Sequence, residues 1–219
     1  MTTERKLAEA VHALTLAVWL GSLVMAAIVV ARVFPMMREF GPVLESFQGY
    51  PSEHHPVIVG GHVGEHVFTS LAVIQFFGVL FTAGSLVLGI WLWGIPLRRV
   101  STLLRASGLG LAVMCVSGQL FWLDPMMNAE LRAFWEQARL GEVERADRHR
   151  EAFNALHPTA SNLLAGSFLG VATAVVAQVF SLAQGGASAP GRRDRGSAPQ
   201  GQPELEEPRL STSVGGGAV

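Results

Sequence analysis

The side chains best suited to chemistry in this 219-residue chain are its histidines and methionines, seven of each. His62-Val63-Gly64-Glu65-His66 fits the H-x-x-E-H pattern, in which two imidazoles one helical turn apart bind zinc and the glutamate acts as base. Glu142 or Glu144 lies far downstream as a conceivable third ligand, but the chain leaves no room for a soluble peptidase fold. The segment reads more simply as a helix N-terminus whose polar residues solvate free backbone donors. A broader constellation joins His54, His55, His62, His66, His149 and His157, which fall on one side of the apolar segments described below. The paired Met36-Met37 and Met126-Met127 leave those segments at the same level. Imidazole with thioether suits soft copper, and two imidazoles on facing helices can hold haem iron. His66, His157, Met36 and Met126 are therefore the candidate ligands, against the plainer reading that they are interfacial residues. No catalytic set emerges. The chain reads as a non-enzyme without a cofactor, copper or haem being the alternative.

Few other polar groups fall in apolar surroundings. Gln75, Gln119, Asn162 and Gln178 are expected to bond one another across helices, or else to line a small polar vestibule. Glu9 and His12 lie one turn apart near the start of the first apolar segment and are expected to snorkel to the interface. With no charge expected at mid-membrane, a proton-coupled pump or a channel with a charged ring is disfavoured. The single cysteine, Cys115, permits no internal disulfide and reads as a small buried hydrophobe.

The elements that must carry these residues are apolar helices. Half of the chain is hydrophobic and 15% charged, well below the charge of an ordinary soluble domain. In lipid an unpaired backbone group is costly, so a span must be a helix of about 20 apolar residues. Four stretches qualify, at residues 10–31, 67–95, 106–123 and 158–182. The first is too long for the core of a cleaved signal peptide and reads as an anchor. Arg98, Arg99 and Arg105 sit without an acid in the short link between the second and third spans, which places that link in the cytoplasm. An even number of spans then puts both termini on the same side, in a cell membrane. The net charge of −1 and the lack of a basic stripe argue against a nucleic-acid partner. The partner is the lipid bilayer, and glycines such as Gly166 and Gly170 allow close helix packing, including a helix-mediated homo-oligomer.

Outside the spans, Met127, Leu131, Phe134 and Ala138 form one helical stripe. Gly141 interrupts it, and Val143, Ala146 and Phe153 resume a similar face. This predicts an amphipathic helix or helix pair on the membrane surface or capping the bundle, with Glu144 and Arg148 at ion-pair spacing. A smaller amphipathic piece is expected over 38–48. Phe34-Pro35-Met36-Met37 and Leu123-Asp124-Pro125-Met126-Met127 mark similar exits, which suggests two related hairpins in parallel orientation. From residue 184 the sequence turns rich in Gly and Pro and poor in large apolar side chains, so 184–219 is expected to be a disordered cytoplasmic tail after a membrane domain over 1–183.

Several of these stretches together resemble the transmembrane protein 205-like family, a domain of unknown function. The likeness is carried by His12-Ala13-Leu14 with Val18-Trp19-Leu20-Gly21-Ser22, by Pro35, and by Gly60-Gly61-His62-Val63-Gly64-Glu65-His66-Val67-Phe68. Asp124-Pro125-Met126-Met127 with Leu131-Arg132, and Leu156-His157-Pro158 through Ser161-Asn162-Leu163-Leu164, complete it over roughly residues 7 to 183. The segment between Pro125 and His157 is long and charged for the family. The resemblance implies a four-helix membrane domain with no established reaction. The first helix also resembles that of copper-resistance D-type membrane proteins, which share a His near the start and a Trp-x-Gly. The expected fold is all-α: a four-transmembrane-helix up-down bundle with amphipathic outer helices, a multi-pass protein of undefined activity.

Overall fold

The computed structural model describes residues 3–93 and 99–186, and every regular element among them is helical. The helices are α1 (Thr3–Phe40), α2 (His55–Trp93), α3 (Val100–Gly118), α4 (Asp124–Leu140) and α5 (Val143–Gly186). Two 3-10 turns, Glu45–Phe47 and Ser52–His54, join α1 to α2. A π-helical turn, Gln119–Leu123, joins α3 to α4 without a break in the helix. Four stretches are long and apolar enough to cross a membrane: Leu7–Phe40, Ser52–Leu92, Val100–Leu140 and Val143–Ala183. Each corresponds to one apolar segment of the sequence but outruns it. A helix of 38 residues such as α1 measures about 57 Å, nearly twice the ~30 Å of bilayer hydrocarbon. The expected tail falls outside the described residues from 187 onward, its first three residues closing α5, and of the arginine link Arg98 falls outside them while Arg99 and Arg105 are described.

The helices pair through seams of apolar and small residues. Leu16, Trp19, Leu23 and Ala26 recur on α1 at alternating steps of three and four and face one core. That core is completed by Leu71 and Leu86 of α2, Leu109, Ala112 and Val116 of α3, and Val171 and Ala174 of α5. Trp19 lies across Gly78 and Phe34 across Gly60, so positions rise along α1 as they fall along α2. The α3–α5 pair is tighter. A methyl group on Gly108 would sit 2.6 Å from the Gly170 carbonyl oxygen, and one on Gly166 would meet the Cys115 Sγ at 2.6 Å. At Gly108 glycine is needed because the backbones touch, and at Gly166 because the Cys115 side chain fills the space. The Gly166/Gly170 motif is thus occupied by α3 of the same chain.

At one end of the bundle, α4, the starts of α2 and α5 and the 41–54 loop build a second core from Phe47, Tyr50, Ile58, Leu131, Phe134, Trp135, Ala138 and Ala146. The stripe read from the sequence is this face. α4 continues from α3 and packs along α5, so this end, called the cap below, prolongs the bundle. Gly141, at φ 75°, ends α4 in the left-handed conformation glycine tolerates, and its backbone lies against Gly49 in the other connecting loop. Over 38–48 the structure shows the end of α1, a turn at Gly41 (φ 55°) and a 3-10 turn in place of an amphipathic helix. Asp147 pairs with Arg150 at 3.1 Å, while no such pair forms between Glu144 and Arg148 among the described residues.

Candidate functional site

The end opposite the cap carries the start of α1 and the last turns of α5, and four helices bring polar side chains together there. Glu9 and His12 come from one face of α1, Ser85 from α2, Arg105 from α3 and Gln178 from α5. Arg105 Nη1 donates to Glu9 Oε2 at 3.2 Å and also to Gln178 Oε1. Gln178 Nε2 in turn donates to the same Glu9 oxygen at 2.8 Å. Each pair of these three side chains is thus bonded, across three helices. His12 Nδ1 lies 2.6 Å from Ser85 Oγ, which donates to the Thr82 carbonyl at 3.1 Å. Arg105 is only 2% exposed and His12 4%.

The surroundings make this burial significant. Leu7, Val11 and Leu14 of α1, Leu88, Trp91 and Leu92 of α2, Val100, Leu103 and Leu104 of α3, and Val179, Phe180 and Leu182 of α5 are all exposed around the cluster. The charges therefore lie beneath an apolar skin that extends past them toward the end of the bundle. Two expectations are corrected here. Glu9 and His12 do not snorkel outward but turn into the bundle, because Arg105 and Ser85 offer partners there. Arg105 does not lie in a loop: α3 begins at Val100, more than a turn earlier, and carries the guanidinium inside. The overlooked signal was complementarity, since an acid and a base each sat one to two turns inside neighbouring apolar helices.

A cavity of about 20 Å³ adjoins the cluster, lined by Ala8, Glu9, His12, Ser85, Leu86, Gly89 and Arg105. His12 Nε2 and Arg105 Nε are both buried without a hydrogen-bond partner among the described residues. Farther along the bundle the amide of Gln75, Gln119 Oε1, Ser167 Oγ and Trp19 Nε1 are likewise buried and unpaired. The four amides do not bond one another as expected: Gln178 bonds Glu9 and Arg105 instead, and Asn162 is exposed.

The residues proposed as metal or haem ligands are placed differently. His66 on α2 and His157 on α5 are both exposed, and those two helices share little contact. Met36 on α1 and Met126 on α4 are also exposed. His157 rests near the Phe153 ring, with centroids 6.2 Å apart. The described residues contain no grouping of three or more His, Cys, Asp and Glu side chains fit to hold a metal ion. The remaining histidines have evident structural partners. His62 stacks on Trp135, His149 meets Glu130 at 2.7 Å, and His55 organises the loop between α1 and α2. His55 Nδ1 accepts from the Leu44 N–H at 2.9 Å, and its Nε2 faces the Phe47 and Tyr50 carbonyls at 3.1 Å each. In the same cap Tyr50 donates its hydroxyl to Asp147 at 2.6 Å; burial, and then that bond, hold its proton well above the usual tyrosine range.

No family model, curated protein or solved structure matches the chain.

Proposed function

We propose that this chain is a multi-pass integral membrane protein, whose four long helices cross a cell membrane as an up-down bundle with both chain ends in the cytoplasm. The observation that carries this reading is the inside-out distribution of polarity. Large apolar side chains such as Val87, Met114, Phe121 and Phe180 cover the exterior, while an ion pair and several amides are folded inward. Water would leave such an exterior aggregating, whereas lipid solvates it. The orientation is supported by Arg98 and Arg99 in the short link, with Arg105 now inside the bundle and contributing less. The protein works without a catalytic residue set, in the manner of the transmembrane protein 205-like membrane domains it resembles. Its functional centre is the Glu9–His12–Arg105–Gln178 cluster, because an ionisable group kept under an apolar surface is costly and is retained where it serves the protein.

Insertion is tested by alkaline carbonate extraction, which leaves a true span in the membrane pellet; release into the supernatant would overturn the reading. Orientation is tested with Arg99→Cys in a Cys115→Ala background. A membrane-impermeant maleimide should label it only after the cells are opened.

A further inference from the structure

The unpaired nitrogens at the end of the bundle are best understood one proton at a time. A serine hydroxyl has a single hydrogen, and Ser85 Oγ stands 3.1 Å from the Thr82 carbonyl oxygen and 2.6 Å from His12 Nδ1. With that hydrogen on the Thr82 carbonyl, Ser85 Oγ accepts from His12 and the neutral imidazole is the Nδ1–H tautomer. Thr82 cannot supply a competing donor, since its own hydroxyl is given to the Gly78 carbonyl. His12 Nε2 is then a bare lone pair, buried, with no protein donor among the described residues. Arg105 Nε–H, also unpaired, is the complementary donor lining the same cavity. A volume of about 20 Å³ exceeds the ~10–15 Å³ one water needs, and the walls provide the two or more polar partners that hold one.

We propose that His12 is a proton-accepting site served by one water in this cavity, which accepts from Arg105 Nε–H and donates to His12 Nε2. On uptake the water passes a proton to Nε2 and regains one from the aqueous phase at that end of the bundle. The new N–H bond uses the imidazole lone pair, and Nδ1–H stays on Ser85. The charged groups facing the ring are Glu9 on its own helix and Arg105 from α3; Ser85 on α2 and Gln178 on α5 are neutral. The imidazolium so formed competes with Arg105 for Glu9, so proton binding loosens the contact that ties α1 to α3 and α5. The site requires only the local geometry, so it stands or falls separately from membrane insertion.

The test is nitrogen NMR of protein labelled with ¹⁵N-histidine in nanodiscs, with His12→Asn used to assign the ring. The wild type should show the Nδ1–H tautomer at neutral pH and convert reversibly to imidazolium on acidification. Ser85→Ala, a small change in a half-buried position, removes the acceptor at Nδ1 and should move the neutral ring toward the Nε2–H tautomer. Arg105→Gln removes the Nε–H that holds the water and should change the His12 Nε2 chemical shift at neutral pH. A wild-type ring already in the Nε2–H form, or a tautomer unmoved by Ser85→Ala, would overturn the proposal even if Arg105→Gln fails to fold.

Discussion

Replacing Gly170 with alanine isolates the contact on which the α3–α5 pair depends. The added methyl carbon would lie 2.5 Å from the Gly108 carbonyl oxygen, 2.8 Å from the Ala112 nitrogen and 3.0 Å from the Ala112 Cβ. Ordinary contact begins near 3.4 Å, and two of these three atoms are backbone, so no side-chain rotation relieves the clash. The helices must part by about 1 Å, which strips dispersion contacts from the seam on both sides. Overpacking of this kind costs about 1–3 kcal/mol. Alanine also favours a helix interior over glycine by about 1 kcal/mol, and this gain partly hides the loss. Gly110 provides the correction, because a methyl group there meets nothing within 4 Å and the same gain applies. The difference in unfolding free energy between Gly110→Ala and Gly170→Ala should therefore be about 1–3 kcal/mol. Thermal or denaturant unfolding in detergent, followed by helical circular dichroism, measures it. Equal stability of the two variants would mean that α3 and α5 do not cross at Gly108 and Gly170.

Three further outcomes are expected. Arg105→Met leaves Glu9 buried without its cation and should cost about 3–5 kcal/mol, most of which Glu9→Gln in the same protein restores; a double variant no better than the single would remove the ion pair as the cause. Tyr50→Phe should cost about 1.5–3 kcal/mol by deleting the bond to Asp147. Because the folded cap holds the Tyr50 proton above the ordinary value of 10.0, that contribution is complete below this pH and fades as pH climbs past it, so the two proteins should converge in strongly alkaline denaturation curves. Copper titration should give the same weak affinity for wild type and a His66→Ala, His157→Ala double variant if those exposed rings are interfacial only, and a clear loss in the variant if they share a metal.

The helices were legible because each carries a long run with few charges, and length and hydropathy decide that at once. The buried face of α4 was legible too, since Leu131, Phe134 and Ala138 keep helical spacing against a polar opposite face, but its continuity with α3 was not, because Asp124 and Pro125 read as a helix exit. What sequence reasoning missed was the direction in which end-of-helix polar residues turn. Glu9 and Arg105 are 96 positions apart, and either alone reads as a boundary residue reaching for water. Only when α1, α3 and α5 are set side by side does each become the other's solvent. The glycines show the same asymmetry. Gly84, Gly110 and Gly170 look alike in sequence, yet the first two face open space and the third lies against backbone. The exposed His66 and His157 have chemistry suited to metal binding and were read at one level of the bundle, but a shared level says nothing of the distance between two helices.

The π-helical turn at Gln119–Leu123 sets a phase relation within the third long helix. An α-helix advances about 100° per residue, and a π turn accommodates one residue more than an α turn, so the helix beyond it is rotated by roughly that angle. Before the turn, Arg105, Gly108, Ala112 and Cys115 keep time with α5; after it, Leu131, Phe134, Trp135 and Ala138 do so on a beat shifted by the inserted residue. Bundle and cap are thus two separately tuned stretches of one rod. Deleting a single residue such as Phe121 would cancel the shift, so that an unbroken α-helix presents the same aromatic face to α5, whereas a regular α-helix formed without the deletion would turn that face roughly 100° away.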